Sequence, residues 1–383
     1  MNNGWKEYCL EDLLSYEQPT PYIVESTEYS DAFETPVLTA GASFILGYTD
    51  EKEGIYDQLP VIIFDDFTTA SKYVDFPFKV KSSAMKILTA NKELVLPKFI
   101  YYRMQTIKFE HSTHKRYWIQ QYSKIKVKIP SLKEQKRIVD KIEELFSELD
   151  SAVETLKKTK EQLAVYRQSV LKEVFSNDNW INVKLGEVLD VLTDYHSNGS
   201  YKTLKENVEL LDAPSYAIMV RSTNFEKNDF KKDLKYISES SYNFLKKSQL
   251  YGGEVLMGKI GNAGKVYYLK DLGCPMSLAM NLFAMRFKKE INSKYAYYFL
   301  ISPEATNDIK QYVKGVGTPT IDKKSVRSIN FRYPNFLTQS RVVEIIESRL
   351  TVCDNIEKTI NEALMQADAM RHSILKKAFE GEL

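Results

Sequence analysis

The residues with the most chemistry in prospect are cations. Between Lys98 and Lys141, twelve lysines and arginines stand against three acids, in a chain of 383 residues whose formal net charge is only +2. Lys124, Lys126 and Lys128 alternate along an expected strand and would share one face. Tyr101, Tyr102, Tyr117, Trp118 and Tyr122 are interleaved with the basic residues. Cations mixed with hydroxyl and aromatic groups suit contacts to phosphates and base edges, so a polyanion is the expected ligand. A merely solvated strand face is the plain alternative.

Catalytic constellations fail one by one. The stretch GKIGNAGKV places five residues between Gly258 and Gly264 where a phosphate-binding loop needs four, and Val266 stands where a hydroxyl would hold magnesium. A glycine-bearing turn that lets backbone approach a ligand fits better. His111 and His114 lie three apart with no cysteine or carboxylate pair nearby to complete a metal site. Asp65-Asp66 lacks the Glu-x-Lys that metal-dependent phosphodiester hydrolysis would use. No glycine-rich cofactor loop is followed by an Asn/Asp-Pro-Pro-aromatic tetrapeptide. The expectation is a non-enzyme with no metal or cofactor of its own.

What must position the cations is a repeat. From Pro130 to Phe175 the chain matches Pro334 to Phe379 without a gap, with 14 identities in 46 positions, where about three would arise by chance. Gln135/Gln339, Arg137/Arg341, Asp150/Asp354, Arg167/Arg371, Leu171/Leu375 and Lys172/Lys376 are among them. Trp5 with Leu10 and Trp180 with Leu185 open the two halves alike. Each half thus reads as a globular segment followed by a long helix.

The helices carry their own signals. Ser131 with Glu134 forms a capping box, and Asn335 can cap the second copy. Apolar residues then recur at spacings of four and three: Ile138, Ile142, Leu145, Leu149, Ala152, Leu156, Leu163, Tyr166 and Val170. The second copy offers Val342, Ile346, Cys353, Ile356, Ile360, Ala363, Ala367, Met370 and Ile374. Such a narrow seam needs another helix, and the other copy is the natural partner. Antiparallel pairing about a pseudo-twofold axis would set the globular segments at opposite ends of a rod. The alternative has each helix folding back on its own domain.

Within the globular segments, Leu59–Phe64, Lys72–Val80 and Leu282–Phe287 read as strands, Gly253–Leu269 as strand, turn, strand, and Leu96–Thr106 and Lys294–Ser302 as helices. The two segments share a scaffold but few residues, which suggests two related domains reading different things. Composition agrees with a folded, multi-domain chain at 43% hydrophobic and 27% charged. Three separated cysteines fit a reducing cytoplasm, and no apolar run is long enough for a membrane.

The run IPSLKEQKRIVDKIEELFSELD from Ile129, its second copy, the VYRQSVLKEVF and AMRHSILKKAFEGEL endings, and GVGTPTIDKKSVRSINFRYP from Gly315 resemble the specificity subunit of type I restriction–modification systems. The resemblance covers nearly the whole chain, although Thr338 stands where the family usually has Glu. It implies an α+β fold: two α/β target-recognition domains joined by two long helices forming an antiparallel coiled coil, as a pseudo-twofold repeat. Residues 1–130 would be the first recognition domain, 131–178 the central helix, 179–334 the second recognition domain and 335–383 the C-terminal helix. It implies a cytoplasmic, non-catalytic subunit that binds double-stranded DNA, each domain reading half of a bipartite, asymmetric site. The helices would set the spacer and dock methyltransferase subunits, which bring S-adenosylmethionine, and restriction/translocase subunits would join them. A coiled-coil scaffold binding protein or glycan partners is the competing reading.

The family supplies no map of base contacts, so candidates come from turns near basic strands, where side chains can enter a major groove. In the first domain these are Thr68, Thr69, Ser71, Lys72, Lys115 and Arg116. Aligning Gly258–Lys265 with Phe64–Ser71 adds Lys259, Asn262 and Lys265, with Arg221, Lys314 and Thr318. The cations among them could serve phosphates alone, giving affinity without sequence information.

Overall fold

The computed structural model describes residues 4–39, 43–110, 116–176 and 179–383. The chain divides into two compact units, one of Met1–Lys157 with Ile360–Leu383, the other Lys158–Thr359.

In the first unit, β1 (Lys6–Cys9) and α1 (Leu10–Leu13) lead into β2 (Leu14–Glu17), β3 (Thr35–Leu38), β4 (Ile45–Thr49), β5 (Val61–Asp65), β6 (Ser71–Val74), β7 (Lys79–Val80), β8 (Met85–Ala90), α2 (Pro97–Met104) and β9 (Lys126–Ile129). They form sheets ordered β2-β8-β5-β6 and β4-β3-β7, and the pair β1-β9. β5 is apolar on both faces because both are covered. Ile62 and Phe64 join one core with Leu88 and Phe99, while Val61 and Ile63 join another with Ile87 and Phe78. β1 lies antiparallel to β9, with Lys6 opposite Ile129, so the chain returns to its origin before α3 (Leu132–Val174) departs.

The second unit repeats the plan. Its elements are β10 (Ile181–Lys184), α4 (Leu185–Val188), β11 (Leu189–Asp194), α5 (Tyr201–Asn207), β12 (Ala217–Val220), α6 (Ser222–Glu226), β13 (Tyr236–Ile237), α7 (Glu239–Phe244), β14 (Gln249–Leu250), β15 (Val255–Gly258) and β16 (Val266–Tyr268). Then come β17 (Met276–Leu278), β18 (Leu282–Phe287), α8 (Ser293–Leu300), α9 (Pro303–Tyr312), α10 (Lys323–Ser328), β19 (Asn330–Tyr333) and α11 (Phe336–Glu380). The sheet β11-β18-β15-β16 has the order of β2-β8-β5-β6, strand for strand, and β10-β19 closes this domain as β1-β9 closes the first. In both, a parallel pair lies in the second sheet: β3 with β7, and β12 with β17.

Two buried glutamines explain the repeated Pro-x4-Gln. Gln135 donates to the carbonyls of Leu94 (2.9 Å) and Pro130 (3.0 Å) and accepts from the Leu96 amide (2.8 Å). Gln339 donates to Glu290 and Pro334 and accepts from Asn292 at matching distances. Each side chain pins the loop before the short helix, α2 or α8, to the base of its long helix.

The helix starts are simpler than expected. Ser131 Oγ accepts the Glu134 amide at 3.4 Å, but the Glu134 carboxylate turns to Arg137, so half the capping box forms. Asn335 Oδ1 caps the Thr338 amide at 3.0 Å.

Each unit contains an antiparallel pairing of α3 with α11. In the first, Arg371 reaches Asp150 and its guanidinium covers the Phe146 ring. In the second, Arg167 holds Asp354 (2.7 Å) and Glu357 (3.0 Å), and Arg349 holds Glu173 (2.7 Å). Arg167/Arg371 and Asp150/Asp354 are repeat identities, so copy one answers copy two reciprocally. The helix ends lodge in the domains they reach: Phe379 packs edge-on against Phe99, and Phe175 against Tyr295 and Phe299.

The seam departs from strict heptads. Ala152, Tyr166, Ile356 and Met370 are exposed, whereas Val153, Arg167, Leu364 and Arg371 turn partly inward. A helix of 3.6 residues per turn drifts from a 3.5 repeat, and arginine stems can occupy seam positions while their heads reach a carboxylate.

Candidate nucleic-acid interface

Sheet register places the turns that follow β5 and β15 at one position in the fold. Asp65 pairs with Met85, as Gly258 pairs with Leu282. Asp65 therefore matches Gly258, one residue later than the alignment of Phe64 with Gly258 expected from sequence. The second turn is also two residues longer, because β6 resumes at Ser71 and β16 at Val266.

In the first domain the Asp65 carboxylate accepts the amides of Phe67 and Thr68, both at 2.8 Å, which shapes the turn. Thr69 adopts a left-handed φ of 57°. Thr68 and Phe67 are exposed at the tip and Thr69 is half-buried. Ser71 is buried and accepts from Gln105 Nε2 at 2.8 Å, so its hydroxyl faces the interior. Lys72 is half-buried, its ammonium 6.0 Å from the centre of the Phe44 ring. Arg116 is exposed and leads to Tyr117, whose amide donates to the Asp66 carbonyl at 2.9 Å. Lys115, with His111 and His114, lies outside the described residues.

The second domain joins two loops. The Gly261 amide donates to Pro319 at 2.9 Å and the Ile321 amide to Lys259 at 3.0 Å, so Gly258–Lys265 and Lys314–Thr320 form one surface. Asn262, Lys265, Lys314 and Thr318 are exposed on it, with the apolar tips Ile260 and Val316. A cavity of about 180 Å³ between the loops is lined by Lys259, Ile260, Tyr312, Lys314, Thr320, Ile321 and Asp322. Gly258 is obligatory there, since a Cβ would fall 1.9 Å from the Asn262 carbonyl oxygen.

Much of the positive charge is already spoken for. Lys265 donates to Glu226 (2.6 Å), which also receives the Tyr267 hydroxyl, and those two bonds hold the Glu226 carboxyl below its usual range. Arg221, at the head of α6, donates to the Asp233 carbonyl. It borders a larger cavity of about 620 Å³ that also presents Lys227, Lys231 and Lys235. In the first domain Lys124 pairs with Glu11, Lys126 with Glu7, and Lys98 with Glu143. Lys124 lies in a single 3-10 turn rather than on β9, so the expected three-lysine strand face is not formed.

Sequence reading missed a hub beneath the second turn. Buried Asp194, at the end of β11, receives Lys259 (2.6 Å), Lys323 (2.7 Å) and Ser197 (2.7 Å), and Lys323 also donates to Ser197 (2.8 Å). Burial alone would raise the Asp194 pKa, but the two ammonium groups and the hydroxyl outweigh it and hold the carboxyl well below the ordinary range. Its signal in the sequence was weak, an acid closing the Leu-Asp-Val-Leu-Thr-Asp run of β11. Among the described residues no cluster of His, Cys, Asp and Glu could hold a metal ion. No helix there is long and apolar enough to cross a membrane.

Comparison with known proteins places this geometry. The family described as type I restriction modification DNA specificity domain matches twice, over residues 2–163 and 177–366. The specificity subunit of the Escherichia coli type I restriction enzyme EcoR124I/EcoR124II is 33% identical over 383 residues, covering 94% of this chain and 90% of that protein. That of EcoKI, from Escherichia coli strain K12, is 28% identical over 277 residues, covering 68% and 58%. A chain solved in work on complex assembly and conformational transition of the type I R-M system has a TM-score of 0.73 at 18% identity, covering 100% of this chain and 99% of that one. The HsdS subunit from Thermoanaerobacter tengcongensis has a TM-score of 0.51 at 17% identity, covering 100% and 98%.

Proposed function

The chain belongs to the type I restriction–modification specificity family, and we propose that its two recognition domains each read one half of a bipartite, asymmetric DNA site. It is a specificity subunit, a non-catalytic DNA-recognition component. The observation that carries the reading is the pairing of identical scaffolds with unlike turns. One sheet order is used twice. Yet the first domain presents Phe67-Thr68-Thr69 where the second presents Ile260-Gly261-Asn262 and a neighbouring Lys314–Thr320 loop. Two unlike surfaces on one scaffold suit two unlike half-sites.

Thr68, Thr69, Arg116, Asn262, Lys314 and Thr318 lie at or beside the turns and are the side chains offered for base or phosphate contact. Arg221 with Lys227, Lys231 and Lys235 suits backbone phosphate. Partner methyltransferase subunits would dock along α3 and α11 and bring S-adenosylmethionine, with restriction/translocase subunits joining that assembly. The paired helices would fix the unspecified spacer. A protein- or glycan-binding scaffold is not favoured, because the relatives are specificity subunits.

Methylome sequencing of a host carrying this chain with a cognate modification subunit tests the reading. A split, non-palindromic methylated motif is expected, and a continuous or palindromic one would overturn it. Inserting four helical residues after Lys157 and four after Thr359 adds about 6 Å of helix at 1.5 Å per residue. The spacer should lengthen by one or two base pairs, while an unchanged spacer would remove the ruler from the proposal.

A further inference from the structure

Asp66 and Lys259 occupy the same place in their domains. The Asp66 amide donates to Ala84 (3.0 Å) and its carbonyl accepts from Tyr117 (2.9 Å); the Lys259 amide donates to Asn281 (2.8 Å) and its carbonyl accepts from Ile321 (3.0 Å). Their side chains nevertheless carry opposite charges, and both find a counter-charge beneath the turn.

In the first domain Lys86 on β8 lies 3.1 Å from Asp66 Oδ2, with both side chains at most 1% exposed. That contact is an ion pair without hydrogen-bond alignment, since the ammonium donates to Gln18 Oε1 at 3.1 Å. The other Asp66 oxygen accepts the Trp118 amide at 2.8 Å. In the second domain the register puts Phe283 in the place of Lys86, because Phe64 pairs with Lys86 as Met257 pairs with Phe283. Asp194, opposite Phe283, takes the place of Gln18, which follows the pair Glu17 with Ile87. The Lys259 ammonium lies 5.6 Å from the centre of the Phe283 ring and bonds Asp194.

We infer that Asp66 and Lys259 are positioning residues, which lock the roots of the two reading turns through ion pairs of opposite polarity and lend no charge to DNA. This rests on the proposal that these turns read DNA. The phosphate backbone is anionic at both half-sites, so a phosphate contact built into the shared scaffold at this position would be served by a cation in both domains. One domain has a buried carboxylate there. What the domains share is pairing, and pairing under a turn fixes the direction in which its tip projects.

The experiment uses the full chain assembled with its modification subunit. It measures duplex affinity against salt concentration and the methylated motif for Lys259→Met, Lys259→Arg and Asp194→Asn. Lys259→Met should leave the slope of log affinity against log salt unchanged while relaxing base preference in one half-site only, and Lys259→Arg should restore that preference. Asp194→Asn releases two ammonium groups and should steepen the slope by up to ~1.8, at ~0.9 per phosphate contacted. If Lys259→Met makes the slope shallower by ~0.9, Lys259 is a phosphate contact and the inference fails. Unchanged preference in Lys259→Met would overturn it as well. Should Lys259→Met not fold, the Lys259→Arg and Asp194→Asn results still decide. The DNA reading itself fails separately, if the unsubstituted complex shows neither salt-dependent binding nor a split motif.

Discussion

Replacing Gln135 with alanine should remove a large share of the stability of the first unit. The side chain is fully buried and satisfies one amide and two carbonyls: Leu96, Leu94 and Pro130. Truncation leaves these groups without that partner, and a buried unsatisfied polar group costs about 1–3 kcal/mol. Carbonyls tolerate the loss better than amides, so the sum is about 3–5 kcal/mol, in a class of proteins whose total is about 5–15 kcal/mol. For a unit of this size that is a fall in melting temperature on the order of 10 °C. Gln135→Met keeps the volume and loses the bonds, so it should cost nearly as much. Chains that keep the tryptophans of one unit only, with the others replaced by phenylalanine, let fluorescence report on the units separately, since Trp5 and Trp118 belong to the first and Trp180 to the second. Gln339→Ala should lower the Trp180 transition by a similar amount. If Gln135→Ala melted within 0.5 kcal/mol of the parent chain, the glutamine would be a passenger and the account of the repeated Pro-x4-Gln would be wrong.

Three further outcomes are expected. A double-mutant cycle on Arg167 and Asp354 should give a coupling of about 0.5–1 kcal/mol, because the carboxylate is largely solvent-exposed; urea unfolding measures it, and zero coupling would make the ion pair incidental. Asp194 has a folded pKa below its unfolded value of about 3.9, so its contribution is present above that value and is lost as the pH falls through the folded one. Asp194→Asn should therefore be less stable at pH 7 and flatten the acid limb of the Trp180 transition below about pH 4, whereas an unaltered acid limb would contradict the buried hub. Gly258→Ala must displace the Asn262 carbonyl, so recognition of one half-site should be lost in the methylome while the other half is kept; an unaffected motif would show the turn to be adaptable.

The repeat and both long helices were legible because they depend on local spacing and identity, which need no partner to be seen. Gln135 and Gln339 stood out in the sequence as identities, but their role did not, since it lies in backbone groups about 40 to 50 residues away. The hub was hidden for the same reason: Asp194 meets Lys259 across 65 positions and Lys323 across 129. The basic stretch misled because net charge in a window says nothing about which acids fold against it, and Glu7, Glu11 and Glu143 do so. Ser71 falls in a turn by sequence, yet it opens β6 and its hydroxyl turns inward to Gln105. The seam drifts where Arg167 and Arg371 turn inward in place of Tyr166 and Met370, because an arginine stem can line a seam while its head reaches a carboxylate.

The first compact unit is completed by residues 360–383, with Leu375, Ala378 and Phe379 lying in the same core as Phe99 and Ile138. During synthesis the domain that leaves the ribosome first is therefore finished last. Until the closing stretch emerges, the apolar face around Phe99 has no lid, and a nascent chain stalled before residue 360 would expose it to chaperones or to the tail of a neighbouring chain.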